Sequence, residues 1–216
     1  HTLTLIADAN NTIQENNETN NSLSMNFTVT LPAQPNGVDL SIAGLSAYNN
    51  SVVQGDQLIF NYALKNTGTT GSNASTVGFS IDSLPSATNS TGTNSFGSVS
   101  PNGWISSPID FLNTSNLTVG NHILYVTADI KNTISEMNEN NNTSSYAFTV
   151  VGKPDYTISS VLAPVTVNAG GVLNLNYTVT NSGQSSANTY SYAAVYFDGY
   201  TNAISYDIIK NLNPGA

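Results

Sequence analysis

The feature that most constrains this chain is a sequence block that occurs twice, at residues 1–29 and 122–150. The two copies align without a gap, and more than half of their positions are identical. Each copy contains the motif D-x-x-N-T-I-x-E-x-N-E-x-N-N, at residues 8–21 and 129–142. An internal repeat of this length defines the unit of the fold, so the other patterns are interpreted within it.

A second repeat relates residues 38–71 to residues 154–187. Its shared anchors are Asp39/Asp155, Gly55/Gly170, Tyr62/Tyr177, Asn66/Asn181 and Gly68/Gly183. A full unit, an opening block followed by a closing block, therefore occurs once, over about 38–151. Residues 153–216 open a second unit that has no closing block, whereas residues 1–29 form a closing block that has no opening block. The chain is interpreted as a circular permutation of two units.

The end of the second unit suggests how the two pieces would join. Residues 212–216 (LNPGA) align with residues 117–121 (LTVGN), which directly precede the second closing block. This alignment predicts that nothing is missing at the join and that Ala216 lies beside His1 of a neighbouring copy. Residues 83–108 are then an insertion without a counterpart. They are interpreted as a tolerated surface loop, as a loop that covers a domain junction, or as a ligand-facing loop.

Apolar and polar residues alternate along short segments, which is the pattern of half-buried strands. Leu3, Leu5 and Ala7 show it, and so do Leu58 and Phe60. Glycine and asparagine clusters separate these segments, and helical periodicity is nearly absent. The chain is therefore predicted to be all-β and to form β-sandwiches. Three parts are expected: donor strands at 1–34, a complete sandwich at 35–152 and an incomplete acceptor domain at 153–216.

An incomplete sandwich exposes an apolar groove and unpaired sheet edges, and an isolated hairpin is marginally stable in water. The linkers at 32–37 and 152–154 are short and contain proline, which disfavours closure within one molecule. We expect residues 1–31 of one molecule to complete residues 153–216 of the next, giving a head-to-tail homopolymer. The donor side chains expected in the shared core are Leu3, Leu5, Ala7, Phe27 and Val29, and the acceptor groove is expected to contain Leu173, Leu175, Tyr177 and Val179.

Composition limits the partners of the chain. The net charge is −9, with four lysines and no arginine, which argues against nucleic-acid binding because phosphate contacts need cations. No apolar run is long enough to cross a membrane as a helix. Twelve N-x-S/T sequons predict N-linked glycans on a secreted protein, although frequent Asn, Ser and Thr also produce such matches by chance. They are Asn10, Asn17, Asn20, Asn26, Asn49, Asn73, Asn89, Asn113, Asn116, Asn141, Asn142 and Asn176.

Catalysis is not expected, and the chain is predicted not to be an enzyme. His1 and His122 occupy one repeat position, which indicates a structural role, and no nucleophile or phosphate-loop motif occurs. The acidic residues of the repeated turn are oxygen donors of the kind that Ca²⁺ binds. The alternative is that they hold the turn through hydrogen bonds to its backbone. The candidate calcium ligands are Asp8, Glu15, Glu18, Asp129, Glu136 and Glu139; no other cofactor is predicted.

The unit resembles the CARDB-type immunoglobulin-like repeats of prokaryotic surface proteins. The matching features are the openings Val38-Asp39-Leu40 and Pro154-Asp155-Tyr156, the two Tyr-x-x-x-Asn-x-Gly strand ends, and the closing motif. The permuted arrangement with its sequons is also similar to the glycosylated donor-strand thread filaments, a kind of pilus, of thermoacidophilic archaea. These resemblances imply immunoglobulin-like sandwiches in an extracellular filament that serves adhesion or biofilm formation on a cell or abiotic surface. The alternative is a carbohydrate- or surface-binding adhesin module of a covalent tandem-repeat protein.

Overall fold

The computed structural model describes residues 1–29, 36–187, 189–199 and 201–216, and these residues form strands and connections without helices. None of them therefore forms a helix that could cross a membrane. The chain divides into two compact units, His1–Pro35 and Asn36–Ala216. The all-β prediction is confirmed. The predicted boundary between residues 34 and 35, and most of the 32–37 linker, lie outside the described residues.

The first unit is a single antiparallel hairpin. Strand β1 (Thr2–Ile6) pairs with β2 (Ser22–Asn26), and Leu5 lies opposite Leu23. The two strands are joined by the acidic turn of the closing motif. Every residue of both strands is exposed, because a two-stranded sheet has no second layer to cover its apolar face.

Residues 38–151 form a complete sandwich of two antiparallel-rich sheets. Its strands are β3 (Leu40–Ala47), β4 (Ser51–Val53), β5 (Gln57–Asn66), β6 (Ser75–Ile81), β7 (Gly92–Phe96), β8 (Trp104–Ser106), β9 (Asp110–Asn113), β10 (Gly120–Thr127) and β11 (Thr143–Val151). One sheet has the order β4-β11-β10-β6-β7, and the other has β3-β5-β8 with β9 also on β5. Both inner faces supply the core, which includes Leu40, Phe60, Leu64, Val77, Leu124, Val126, Phe148 and Val150. The predicted complete sandwich is confirmed.

A buried asparagine explains the repeated Asn-x-Gly motif. Asn66 is fully buried, and its Oδ1 accepts from the amides of Asp39 and Gly68 at 3.2 and 3.0 Å. Asn181 makes the same two bonds, with Asp155 and Gly183. A Cβ on Gly68 or Gly183 would lie 2.2–2.3 Å from a backbone oxygen, so glycine is required at both positions.

Residues 153–216 contain two separate hairpins. Strand β12 (Tyr156–Leu162) pairs with β13 (Asn176–Asn181), and β14 (Ser191–Val195) pairs with β15 (Ser205–Ile209). These pairs correspond to β3–β5 and β6–β7 of the complete sandwich. Ser191 lies opposite Ile209 as Ser75 lies opposite Phe96. The described part of residues 153–216 has no strand in the places of β4, β8, β9, β10 and β11.

The predicted alignment of residues 212–216 with residues 117–121 is wrong. The Nδ2 of Asn181 donates to the Leu212 carbonyl at 2.9 Å, as the Nδ2 of Asn66 donates to the Val99 carbonyl at 3.1 Å. The Asn181 amide donates to the Ala216 carbonyl, as the Asn66 amide donates to that of residue 103. LNPGA is therefore the structural counterpart of VSPNG at 99–103, a proline-containing turn that closes against the buried asparagine.

Residues 153–216 therefore lack more of the complete sandwich than the sequence alignment predicted. Strand β15 is the counterpart of β7, so the 83–108 stretch is not an insertion but carries β7 and β8. The counterparts of residues 104–121, which include β8 and β9, are the ones absent from residues 153–216. The prediction that joining residue 216 to residue 1 restores a whole unit is wrong.

Candidate assembly site

The hairpin at 1–29 exposes the side chains that its repeat buries elsewhere. Leu5 is 75% exposed, whereas its counterpart Val126 is 0% exposed. Phe27 is 45% exposed, whereas Phe148 is 3% exposed. Leu3 and Val29 are also exposed, and their counterparts, residues 124 and 150, are fully buried. Residues 1–29 match residues 122–150 in sequence but are not covered by a second sheet. The hairpin therefore exposes the apolar face that the matching strands bury in the complete sandwich.

The apolar side chains of this hairpin already form a concave surface. Leu3, Leu5, Leu23, Ser24 and Met25 line a cavity of about 270 Å³. Opposite positions in an antiparallel pair project to the same side of the sheet, which brings Leu3 with Met25 and Leu5 with Leu23. The hairpin therefore brings the candidate donor residues Leu3 and Leu5 to one face. Ala7 follows the strand, and its amide donates to the Asn21 carbonyl.

The predicted acceptor residues line open grooves between the two hairpins of residues 153–216. Leu175 and Tyr177, with residues of β12 and β14, line a groove of about 220 Å³. Leu173 and Leu175 also line a neighbouring groove of about 270 Å³. These side chains are half-buried, whereas their counterparts Leu58, Phe60 and Tyr62 are buried. Val179, the fourth predicted residue, is likewise half-buried, and its counterpart Leu64 is fully buried.

The complete sandwich shows which strand edges would receive a closing block. Strand β10 pairs antiparallel with β6, and Val126 lies opposite Phe79. Strand β11 pairs in parallel with β4, and Val150 lies opposite Val52. In residues 153–216, β14 is the counterpart of β6, and within the described residues it pairs with β15 alone. The edge of β14 is therefore the counterpart of the edge that β10 covers.

The repeated acidic turn is held by its own hydrogen bonds. The Asp8 carboxylate accepts from the Thr12 amide at 3.0 Å and from the Ile13 amide at 2.8 Å, and the bond from Ile13, followed by that from Thr12, lowers the pKa of Asp8. The Asp129 carboxylate accepts from the Ile134 amide at 2.7 Å. Asp8 and Asp129 both have positive φ, 41° and 40°, so the two turns share one backbone conformation. Such bonds are those of an Asx-type turn.

The second half of the turn is also closed internally. The Glu18 carboxylate accepts from the Glu15 amide at 2.9 Å, and the Glu139 carboxylate accepts from the Glu136 amide at 3.0 Å. Among the described residues, no three acidic or histidine side chains come together as metal ligands would. The hydrogen bonds favour the turn-holding alternative, and calcium binding stays a prediction.

In the complete sandwich this turn is fastened to the opening strand. The Glu136 carboxylate accepts from the Leu40 amide and, at 2.9 Å, from the Nδ2 of Asn142. The Nδ2 of Asn141 donates to Asp39 at 3.0 Å. Burial raises the pKa of Glu136 to about 7 despite the Leu40 bond, and the nearby charge of Glu139 adds to the rise. The closing motif therefore serves as a clamp on the strand that opens the domain.

Replacing Glu136→Gln is expected to stabilise the complete sandwich above neutral pH. A carboxyl whose pKa is higher in the folded state favours folding below about pH 4.5, and this contribution is lost as the pH rises through about 7. A glutamine side chain cannot ionise, so the free energy of unfolding of the variant should not fall as the pH rises through 7. At pH 8 it should exceed that of the wild type by about 1–2 kcal/mol, allowing for solvent screening. Urea unfolding at pH 4.5, 6 and 8 measures it.

The matched control for this substitution is Glu15→Gln at the equivalent repeat position. Within the described residues the Glu15 carboxylate has no hydrogen bond, so this change should leave the unfolding of the complete sandwich unaltered at every pH. An unchanged pH slope in the Glu136→Gln protein would contradict the clamp.

The predicted glycosylation sites differ in accessibility. Asn142 is 8% exposed, and its Nδ2, the atom that would carry the glycan, donates to Glu136. The Nδ2 of Asn141 is engaged with Asp39. The other ten sequon asparagines are exposed. Asn141 and Asn142 are therefore the sequons least suited to modification in the folded chain.

A polar group that was not predicted from the sequence joins β10 to β6. The Nδ1 of His122 lies 2.6 Å from the Asp82 carboxylate, which also accepts from the Ile123 amide at 2.9 Å. The Nε2 of His122 donates to the Thr118 carbonyl at 2.8 Å. The signal available in the sequence was the alignment of Asp82 with Asp198 between the two repeats.

Comparison with protein-family models identifies the family of the complete sandwich. The family model described as CARDB matches residues 37–146, just over half of the chain, and so covers most of the complete sandwich. The chain belongs to the CARDB family. The resemblance given by the Asp39 opening, the Asn66 anchor and the Glu136 turn is thus confirmed. No curated protein sequence matches this CARDB chain significantly.

Solved CARDB structures are similar to it at low sequence identity. The crystal structure of the CARDB domain of a Pyrococcus furiosus protein in complex with di-metal ions is 21% identical, with a TM-score of 0.45. It covers 56% of this chain and 100% of that one. A domain of a candidate cell surface protein of Methanosarcina acetivorans, solved by NMR, is 21% identical with a TM-score of 0.41, covering 52% and 93% of the two chains.

Proposed function

We propose that this CARDB chain is a structural subunit of an extracellular, N-glycosylated surface filament that assembles head to tail. Residues 1–29 of one subunit would enter the groove of residues 153–216 of the next by donor-strand complementation, and the filament would serve adhesion or biofilm formation. Adding strands to an open sheet is an established mode of association. A heterologous contact of this kind propagates as a filament unless its rotation closes a ring.

One observation carries the proposal. The chain holds a closing block with an exposed core face and an opening block with an open groove, and its complete sandwich shows the two fitted together. The fitted pair buries Leu124, Val126, Phe148 and Val150 completely or nearly so. Burial of each large apolar side chain contributes about 1.5–3 kcal/mol. Four such side chains would hold a non-covalent junction.

Removal of residues 1–29 tests the proposal. The truncated protein is expected to keep the complete sandwich folded, because that core contains no residue of the hairpin. Filaments seen by negative-stain electron microscopy for the full chain should be absent after truncation. A synthetic 1–29 peptide added to the full chain should shorten filaments by occupying the groove. Filaments of normal length from truncated protein would refute donor-strand closure.

The strand pairing of the complete sandwich favours a second candidate. In the complete sandwich, β8 and β9 pair with β5, so β13 would keep an unpaired edge in a junction formed by residues 1–29 alone. A covalent tandem-repeat adhesin would supply these strands between one acceptor domain and the next closing block, and would bind carbohydrate or another surface ligand. Denaturing gel electrophoresis of the assembled material distinguishes the two candidates, since separate subunits would be released as short single chains and a covalent array would not.

A further inference from the structure

The complete sandwich fastens its closing strand with an ion pair. His122, 7% exposed, lies at the start of β10, and its Nδ1 is 2.6 Å from Asp82, which follows β6. The Ile123 amide donates to the other Asp82 oxygen, and the Asp82 amide donates to the Ile123 carbonyl at 2.8 Å. This is the one ion pair within the described part of the chain. The pair therefore marks the register at which β10 meets β6.

Both halves of this pair recur in the unpartnered pieces. His1 is the counterpart of His122, and its ring already stacks on Phe27 with centroids 5.4 Å apart, as His122 packs on Phe148 at 5.8 Å. Asp198 is the counterpart of Asp82 at the end of the equivalent strand. Both aspartates have positive φ, 38° and 58°, which few residues other than glycine, asparagine and aspartate adopt.

Within the described residues, neither the His1 imidazole nor the Asp198 carboxylate makes a hydrogen bond or ion pair. Asp198 is exposed, as is His1. Hence the chain presents an imidazole on its donor block and a carboxylate beside its acceptor groove, each in the local conformation of the paired copy.

We propose that His1 of one copy and Asp198 of a second copy form an intermolecular ion pair that sets the register of the donor strand. The inference rests on the proposed donor-strand function. In this register, Leu3 lies opposite Phe197 and Leu5 opposite Val195, by analogy with residue 124 opposite 81 and residue 126 opposite 79. A slip by two residues would keep the apolar face inward but separate His1 from Asp198.

A second clamp acts at the other end of the same hairpin. In the complete sandwich Glu136 accepts from the backbone amide of residue 40, and the side chain of residue 141 donates to that of residue 39. The corresponding partners across the junction are Glu15 with the Tyr156 amide, and Asn20 with Asp155. The junction would thus be fixed by polar contacts before and after strand β1, and the contact of Asn20 requires that its side chain carries no glycan.

The sign of the pH dependence follows from the paired copy. Burial lowers the pKa of His122, but the hydrogen bonds to Asp82 and the Thr118 carbonyl, with the Asp82 charge, outweigh burial and raise it. Burial raises the pKa of Asp82, and the bonds from His122 and Ile123 overcome it and lower the pKa. At the junction Asp198 would supply the hydrogen bond and the charge that Asp82 supplies to His122, whereas the Thr118 bond has no counterpart there. The ion pair should therefore stabilise the junction fully below the ordinary imidazole pKa of about 6.5. This stabilisation should be lost as the pH rises through the raised pKa of the paired imidazole.

Assembly of the full-length protein at pH 5 and pH 8.5 tests the pair. Sedimentation of the wild type, His1→Gln, Asp198→Asn and the double variant gives the concentration at which filaments appear. At pH 5 each single substitution should raise this concentration roughly tenfold, as expected for a charge-assisted hydrogen bond, and the double variant should be no worse. The wild type should weaken similarly at pH 8.5, and the variants should lose that pH dependence. The exposed Asp56→Asn is the matched control and should change nothing.

The outcomes separate this inference from the proposed function. If Leu5→Asp protein assembles normally, donor-strand closure itself is overturned. If Leu5→Asp abolishes assembly but His1→Gln keeps the wild-type pH profile, or the two single effects add in the double variant, the ion pair alone is overturned. Imidazole titration by NMR gives an independent measurement: the pKa of His1 should rise on assembly, and an unchanged value overturns the pair.

Discussion

The Leu5→Asp protein is expected to remain monomeric under conditions in which the wild type forms filaments. Leu5 is exposed in the single chain, so the substitution costs the folded monomer little. Its counterpart Val126 is fully buried in the complete sandwich, and an unpaired carboxylate in such a site costs several kcal/mol in addition to the lost apolar burial. The junction should weaken by about 1,000-fold or more. Electron microscopy and light scattering at matched concentrations measure this.

Thr4→Asp is the matched control for this prediction. It adds the same charge to the opposite face of the same strand, and Tyr125, the counterpart of Thr4, is only half-buried. Filaments should therefore survive this substitution. Equal loss of assembly in both variants would show that charge on the hairpin, rather than burial of its apolar face, controls association.

Paired core truncations should have unequal effects in the two domains. Phe60 is fully buried, so Phe60→Ala is expected to lower the free energy of unfolding of the complete sandwich by about 3–5 kcal/mol, assembled or not. Leu175, its counterpart, is half-buried in the single chain. Leu175→Ala should cost under about 1.5 kcal/mol in the dissociated chain and about 2–4 kcal/mol in the filament, because assembly completes the burial of this side chain.

Chemical unfolding of dissociated and assembled protein, followed by tyrosine fluorescence, measures these differences. The informative quantity is the change that assembly makes to the effect of each substitution. That change should be near zero for Phe60→Ala and large for Leu175→Ala. An effect of Leu175→Ala that is the same in both states would mean that the groove is not covered on assembly.

Sequence repetition was sufficient to predict the all-β fold and the two opening and two closing blocks, but not the strands of residues 83–108. Leu124 and Val126 lie two residues apart because one face of their strand is buried, and Leu3 and Leu5 have the same spacing, with threonine on the opposite face. The anchors at residues 66 and 181 were likewise visible as repeated letters. Local patterns of this kind depend on which side of a strand faces the core, and that side is encoded at every second residue.

The tertiary structure decided the points that depend on contacts between distant segments. Residues 212–216 share two identical positions with residues 117–121 and one with residues 99–103, yet the bonds of Asn181 to residues 212 and 216 select residues 99–103. The pairing of His122 with Asp82 joins residues 40 positions apart, and that of Glu136 with Leu40 joins residues 96 positions apart.

The sequence by itself therefore determined that this chain contains a complete repeat unit at residues 38–151, an opening block without a closing block at 153–216, and a second closing block at 1–29. Only the tertiary structure determined which residues close the sandwich, and which of their counterparts still lack partners. The physical reason is that strand alternation is a property of neighbouring residues, whereas a hydrogen bond or an ion pair forms only when folding brings its two groups within about 3 Å.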